Sequence, residues 1–100
     1  MTAKYQIISW RDIPAQVKVV SGRDRVGRPL SKRFPVAIDE AAMRAGLTSS
    51  DDYLEQWRPG EWQEREGELE DIADSVVAEI EEAYPPQRLK VLIEQNGLEK

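Results

Sequence analysis

The sequence predicts an α+β domain in which an N-terminal antiparallel β-hairpin is covered by three to four α-helices. Three observations carry that expectation. Residues 4–20 hold tyrosine, tryptophan, isoleucine and valine around a central Asp12-Ile13-Pro14, the composition of two strands about a turn. From Ser31 onward, apolar residues recur three and four apart, the period of helices packed by one face. Two strands alone are marginal in water, so the helices must close over them.

The elements follow in order. Lys4 to Trp10 alternates Tyr5 and Ile7 with Gln6, Ile8 and Trp10; with apolar residues on both faces, the strand is expected to be central. Pro14 lacks an amide donor and disfavours helix at Ile13, so the strand breaks there. A second strand runs from Gln16 to Val20, Val17 and Val19 on one face and Lys18 on the other, and the short spacing pairs it antiparallel to the first. Ser21-Gly22 ends it. Arg23 to Leu30, punctuated by Gly27 and Pro29, reads as a loop or a short edge strand.

Ser31 is an N-cap for a helix to about Ala45, with Phe34, Ile38, Ala41, Ala42 and Ala45 as its stripe and Gly46 as its stop. A shorter helix starts near Ser49 or Ser50, its first turn favoured by Asp51 and Asp52, and buries Tyr53, Leu54 and Trp57. Arg58-Pro59-Gly60 stops it. Glu61 to Gly67 reads as a polar connection holding a lone Trp62. The longest helix spans about Glu68 to Tyr84, with Leu69, Ile72, Ala73, Val76, Ile80 and Ala83 on one face. Pro85-Pro86 ends it, and a last helix from Pro86 carries Leu89, Leu92 and Ile93 before Gly97 closes it.

Composition narrows the chemistry. One hundred residues, 40% hydrophobic and 33% charged, are a single-domain length and a globular balance, so one unit over residues 1–100 is expected. No apolar run approaches the roughly 18 residues of a membrane helix, and Met1 to Trp10 lacks the basic start and apolar centre of a signal peptide; the expected address is cytoplasmic. The chain has no cysteine and no histidine, so disulfides, thiolate nucleophiles, the commonest zinc ligands and the commonest general base are gone. A non-enzymatic role follows as the expectation, with no catalytic residue, no metal ligand and no cofactor. The carboxylate pairs Glu70-Asp71 and Glu81-Glu82 read as a solvated helix face, because the fixed loop pattern of a calcium site is missing.

Charge is divided along the chain. Residues 1–50 hold nine Lys or Arg against four Asp or Glu, and residues 51–100 hold five against fifteen. The two halves either face each other within the fold or present a bipolar surface to a partner. The basic cluster Arg23, Arg25, Arg28, Lys32 and Arg33 is the place where an anion would bind, or else it pairs with the acidic helices. An acidic protein repels a phosphate backbone, so nucleic acid is the disfavoured partner. Trp10-Arg11-Asp12 combines residue types enriched at recognition hot spots, while a core position for Trp10 with Arg11 and Asp12 ordering the turn reads equally well. Trp62, among Glu61, Gln63 and Glu64, either anchors its loop or waits for a partner.

Two resemblances enter here. Arg25 to Leu30 followed by a helix, Gly46 to Ser50 and a second helix resembles the order of a ribbon-helix-helix repressor, a dimeric family that reads the major groove with a two-stranded ribbon. It departs at Gly27 and Pro29, which spoil a pairing ribbon, and at Asp51 and Asp52, which would repel a phosphate. The blocks Trp10 to Val17, Ala37 to Gly46 and Asp52 to Trp57 together resemble a small bacterial family that carries the label virulence factor. That likeness covers about residues 4–62 as a family-like core, with residues 63–100 an acidic helical C-terminal part. It names a phenotype and carries over no catalytic residue. It also implies an accessory role beside tetrahydrofolate- and corrinoid-linked methyl-transfer enzymes.

The functional expectation is thus a protein-binding or accessory domain. Its partner is another protein and no membrane, a homodimer is left open, and the contacts are expected from Trp10, Arg11, Asp12, Arg23, Arg25, Arg28 and Trp62.

Overall fold

A computed structural model describes residues 2–47 and 49–99. Thr48, in the Gly46 to Ser50 connection of the repressor-like pattern, lies outside the described residues. The order is β1 (Thr2–Trp10), β2 (Ile13–Ser21), β3 (Asp24–Pro29), α1 (Arg33–Arg44), α2 (Ser50–Leu54), β4 (Trp57–Pro59), β5 (Gln63–Glu66), α3 (Leu69–Ala83) and α4 (Pro86–Glu94). The class is α+β as expected, but the hairpin is part of a five-stranded antiparallel sheet in the order β3-β2-β1-β4, with β5 also paired to β1.

β1 is the central strand because both of its edges are used. On one side Tyr5 pairs with Val19 and Ile7 with Val17. On the other, β4 lies opposite Ile8–Trp10 and β5 opposite Thr2–Tyr5, so the two run end to end along one edge. Ile7 takes an amide from Gly60 at 2.9 Å, and Tyr5 pairs with Gln63. Glu61 and Trp62 therefore both stand opposite Gln6, two residues against one, which is a β-bulge. The polar connection expected at Glu61 to Gly67 is in fact this bulge and β5, and Arg58-Pro59, expected as a helix stop, lies in β4. Pro59 is tolerated because β4 is an edge strand. A second bulge shifts the β1–β2 register between Ile8 and Ser9; Pro14, expected as a break, sits beside it inside β2. β3 takes the edge-strand option, with Gly27 and Pro29 paired to Lys18 and Gln16. Paired along its length to its own chain's β2, it is no free ribbon, so the ribbon-helix-helix likeness stops at the order of elements.

Strand alternation sorts the sheet into two faces. Ala3, Tyr5, Ile7, Val17, Val19 and Val26 point to the side where α1, α3 and α4 pack, and they join Phe34, Ile38, Ile72, Val76, Ile80, Leu89 and Leu92 in one core. Trp10 and Ile13 complete it at the closed end of the hairpin, each fully buried. Lys4, Gln6, Ile8, Gln16, Lys18, Val20 and Arg25 point the other way.

The helices end where local chemistry ends them. Gly46, at φ +74°, closes α1 with Leu47 N–H donating to Ala42 at 2.9 Å and Gly46 N–H to Met43 at 3.1 Å, the two bonds of a Schellman cap. At the end of α4 the same pair runs from Gly97 to Leu92 and from Asn96 to Ile93. There Asn96, at φ +61°, takes the left-handed position expected of Gly97. Ser49 caps α2 by accepting from Asp52 at 3.3 Å. That helix stops at Leu54, which is 61% exposed rather than buried, while Tyr53 and Trp57 are half-buried. Ser31 does not cap α1, because its hydroxyl donates to Glu81 instead.

Candidate functional site

The residues singled out at the hairpin turn are spent on the fold. Trp10 has no exposed surface; its ring stacks on Tyr53 at 5.8 Å, and its indole N–H donates to the Tyr53 carbonyl at 2.9 Å. A buried ring offers a partner nothing, which corrects its reading as a contact residue. Arg11 sits at φ +51°, a conformation that is uncommon for a residue with a side chain. Its surroundings hold it there. Its backbone N–H donates to Gln56 at 2.9 Å, its guanidinium to the Gln56 side chain at 3.0 Å and the Asn96 carbonyl at 2.9 Å. Asp12 accepts from the Glu99 amide at 2.6 Å and stands 4.0 Å from Arg58. This turn is a junction of the β1–β2 hairpin with the ends of α2 and α4.

The arginine cluster divides by strand parity. Arg28 points to the helix side and meets Asp74 at 3.4 Å and Glu70 at 3.9 Å, both on α3. Arg33, in the first turn of α1, meets Glu81 at 2.7 Å. Arg25, three residues before Arg28, points to the opposite face, and Arg23 is exposed in the two-residue turn between β2 and β3. Among the described residues, neither has a carboxylate within 4.0 Å, and the same holds for Lys4 and Lys18. The expectation that the two halves face each other is thus met in part: Arg28 and Arg33 of the basic half face the acidic helix α3, while Arg23 and Arg25 do not.

Three of these cations, Lys4, Lys18 and Arg25, stand on the sheet face opposite the helices. The bulge at Glu61-Trp62 aims Trp62 onto this face, where 46% of it is exposed. Gly60 makes the bulge possible, since a Cβ there would stand 3.0 Å from the Ile7 carbonyl oxygen. Trp62, Gln6, Lys18, Val20, Arg25 and Gly27 line a groove of about 430 Å³. Gly27 leaves its far wall low, because nothing lies within 4 Å of where its Cβ would be. A larger groove, about 550 Å³, runs between the β2–β3 turn and the start of α3; Arg25 lines it too, but Asp24, Glu68, Glu70 and Asp71 leave its walls net negative and no aromatic residue lines it. The Trp62 groove is the better candidate because it joins a large amphipathic ring to unpaired cations, the pairing on which recognition surfaces concentrate their affinity.

Titration behaviour is shifted elsewhere. Arg65, on the helix side of β5, donates to Glu79 at 2.7 and 3.1 Å. That bond holds the Glu79 carboxyl below its usual range and raises Arg65. Burial, then the charge of Asp39, pushes Tyr53 up, and burial pushes Tyr84 up. Among the described residues, no helix is long and apolar enough to cross a membrane, and no three His, Cys, Asp or Glu side chains gather as a metal site would require.

Sequence reasoning named Arg23, Arg25 and Trp62 but missed Lys4, Gln6, Lys18, Val20 and Gly27 as their neighbours. The signal was present in the two-residue alternation of β1 and β2. What brings these residues to Trp62 is the β5 pairing, which the local sequence does not announce.

A family model described as Virulence factor matches residues 8–93, from β1 into α4 and so across the acidic helices as well as the earlier blocks. No curated protein and no solved structure matches the chain.

Proposed function

Because the chain belongs to the virulence factor family, whose label names no reaction, we propose from its geometry that it works by binding another protein, as a non-enzymatic accessory domain. The binding surface is the uncovered face of the sheet. The single observation that carries this reading is the bulge that sets Trp62 on that face beside Lys18 and Arg25. Sheets that bury one face and leave the other to water usually show polar residues outward. Here a half-exposed tryptophan stands at the edge of a groove floored by Val20 and the stems of Gln6 and Lys18, and Trp is the residue type most enriched among binding hot spots. With no thiol or imidazole in the chain, the groove has lysine, arginine and glutamine to work with, which suits recognition better than proton transfer.

The test is capture of the tagged chain from its native cells at moderate salt, run side by side for wild type, Trp62→Ala and a control, Met43→Glu, on the exposed flank of α1. A protein retained in stoichiometric amount by wild type and control, and reduced at least tenfold by Trp62→Ala, is the expected result. Equal retention by all three would remove the sheet face from the account. Trp62→Ala should leave the melting temperature within about 3 °C of wild type, since surface substitutions away from structural features change stability by about 0.5 kcal/mol.

A further inference from the structure

We infer that the partner on this face is a second copy of the chain, docked sheet to sheet about a two-fold axis parallel to the strands. This deepens the proposal that the face binds protein and rests on it. The uncovered face reads as three rows crossing the sheet from the β4–β5 edge to the β3 edge. They are Glu64, Lys4, Val20, Arg25; then Trp62, Gln6, Lys18, Gly27; then Pro59, Ile8, Gln16, Pro29. The face is therefore acidic at one edge, at Glu64 and Glu66, and basic at the other, at Arg25 and Arg23. A uniformly acidic partner or a phosphate backbone would meet repulsion at the β5 edge. A second copy turned about the strand direction sets its own basic edge against that acidic one.

That rotation keeps each row and reverses its order. Glu64 then lies over Arg25 of the other copy, and Arg25 over its Glu64. Trp62 lies over Gly27, where the missing side chain leaves room for the ring and the groove beside it is about 430 Å³. Lys4 lies over Val20 and Lys18 over Gln6, so no lysine faces a lysine. The other in-plane axis, perpendicular to the strands, would put Lys18 on Lys18 and leave Arg25 without an acid. Aligned sheets pack at about −30°, which skews the rows without changing which edge meets which. The rows cover a patch roughly 20 Å on a side, about 400 Å² per copy, which is below the standard interface size and in the range of weak, transient contacts; the dimer is accordingly expected to be weak, with a dissociation constant on the order of 10 µM.

The experiment is sedimentation velocity of the full chain from about 1 to 200 µM. Wild type should pass from monomer to dimer over that range, about the constant expected. Trp62→Ala should weaken the dimer at least tenfold, as loss of a central anchor does. Arg25→Glu and Glu64→Arg should each weaken it about fivefold, and the two together in one chain should return it to within about twofold of wild type, because the reversed pair forms again across the axis. All these side chains are exposed or stand on an edge strand, and circular dichroism melts confirm that each variant folds. A wild type that stays monomeric at 200 µM overturns the second copy as partner, while the capture comparison above still decides whether the face binds something else. A dimer indifferent to Trp62→Ala, or one weakened further in the double charge reversal, places the contact elsewhere and overturns the docking.

Discussion

A single atom position at Gly97 shows how tightly the turn junction is built. A Cβ there would stand 2.9 Å from Cζ3 of the buried Trp10 ring, and the residue holds φ +85°. Both facts exclude a side chain. Gly97→Ala is expected to destabilise the fold by about 2 kcal/mol, the scale of core overpacking, which for a chain of this length lowers the melting temperature by roughly 8 to 16 °C. A loss under about 3 °C would show that the junction has slack. The sequence pattern marks Gly97 as a helix stop; the left-handed cap position is held by Asn96, and Gly97 is kept for its contact with Trp10. Spacing along one helix does not reveal a ring arriving from the opposite end of the chain. Trp10 itself was legible as core or as contact, and only the Tyr53 and Gly97 contacts decide between them. Arg25 and Arg28 read as one cluster until strand parity sends them to opposite faces.

Between elements, α1 and α3 exchange charges at their ends. Glu81, in the last turn of α3, accepts from the Ser31 amide at 2.6 Å and the Ser31 hydroxyl at 2.8 Å, just before the α1 N-terminus. Arg33 of α1 donates to the carbonyls of Glu81 and Tyr84 at 2.7 and 3.0 Å, at the α3 C-terminus. Each charge stands at the unfavourable end of its own helix but reaches the end of the neighbouring helix whose dipole favours it. Arg33→Ala is expected to cost about 2 kcal/mol, the range for charged hydrogen bonds on partly buried groups, with Arg33→Lys recovering only part because an ammonium cannot fork. Arg28→Ala, whose acidic partners are 70% and 75% exposed, should stay within about 0.5 kcal/mol. Urea midpoints at constant slope check both. The helices α1, α3 and α4 were legible because an apolar stripe repeats over several turns. β4 and β5 were not, since Trp57–Pro59 is three residues with a proline and Gln63–Glu66 holds no apolar residue at all. Their strand conformation comes from the free edge of β1, a long-range cause that overrides local propensity.

The molecule as a whole is a sheet with one face sealed by helices and the other open, and its charges follow that division. Arg28, Arg33 and Arg65 are drawn to acids of α3, while Lys4, Lys18 and Arg25 stand on the open face. Stability should fall in alkali. Tyr53 and Tyr84 have folded pKa values raised above the ordinary 10.0, so above about pH 10 the unfolded chain releases protons that the folded chain retains, and unfolding gains with each step of pH. A melting series from pH 8 to 11 should be flat at first and then drop, and Tyr84→Phe should reduce the drop; a curve flat to pH 11 would contradict the burial of these hydroxyls. The open face itself is what most of the functional reading rests on, and amide correlation spectra of the nitrogen-labelled chain at about 10 and 500 µM, at and far above the expected dissociation constant, examine it directly. The account predicts that the shifts gather at the Trp62 indole, Lys4–Ile8, Gln16–Val20 and Arg25–Pro29. Shifts confined to Val36, Met43 and Val91 on the helical side would contradict the open-face reading, and spectra unchanged with concentration would contradict the second copy as its occupant.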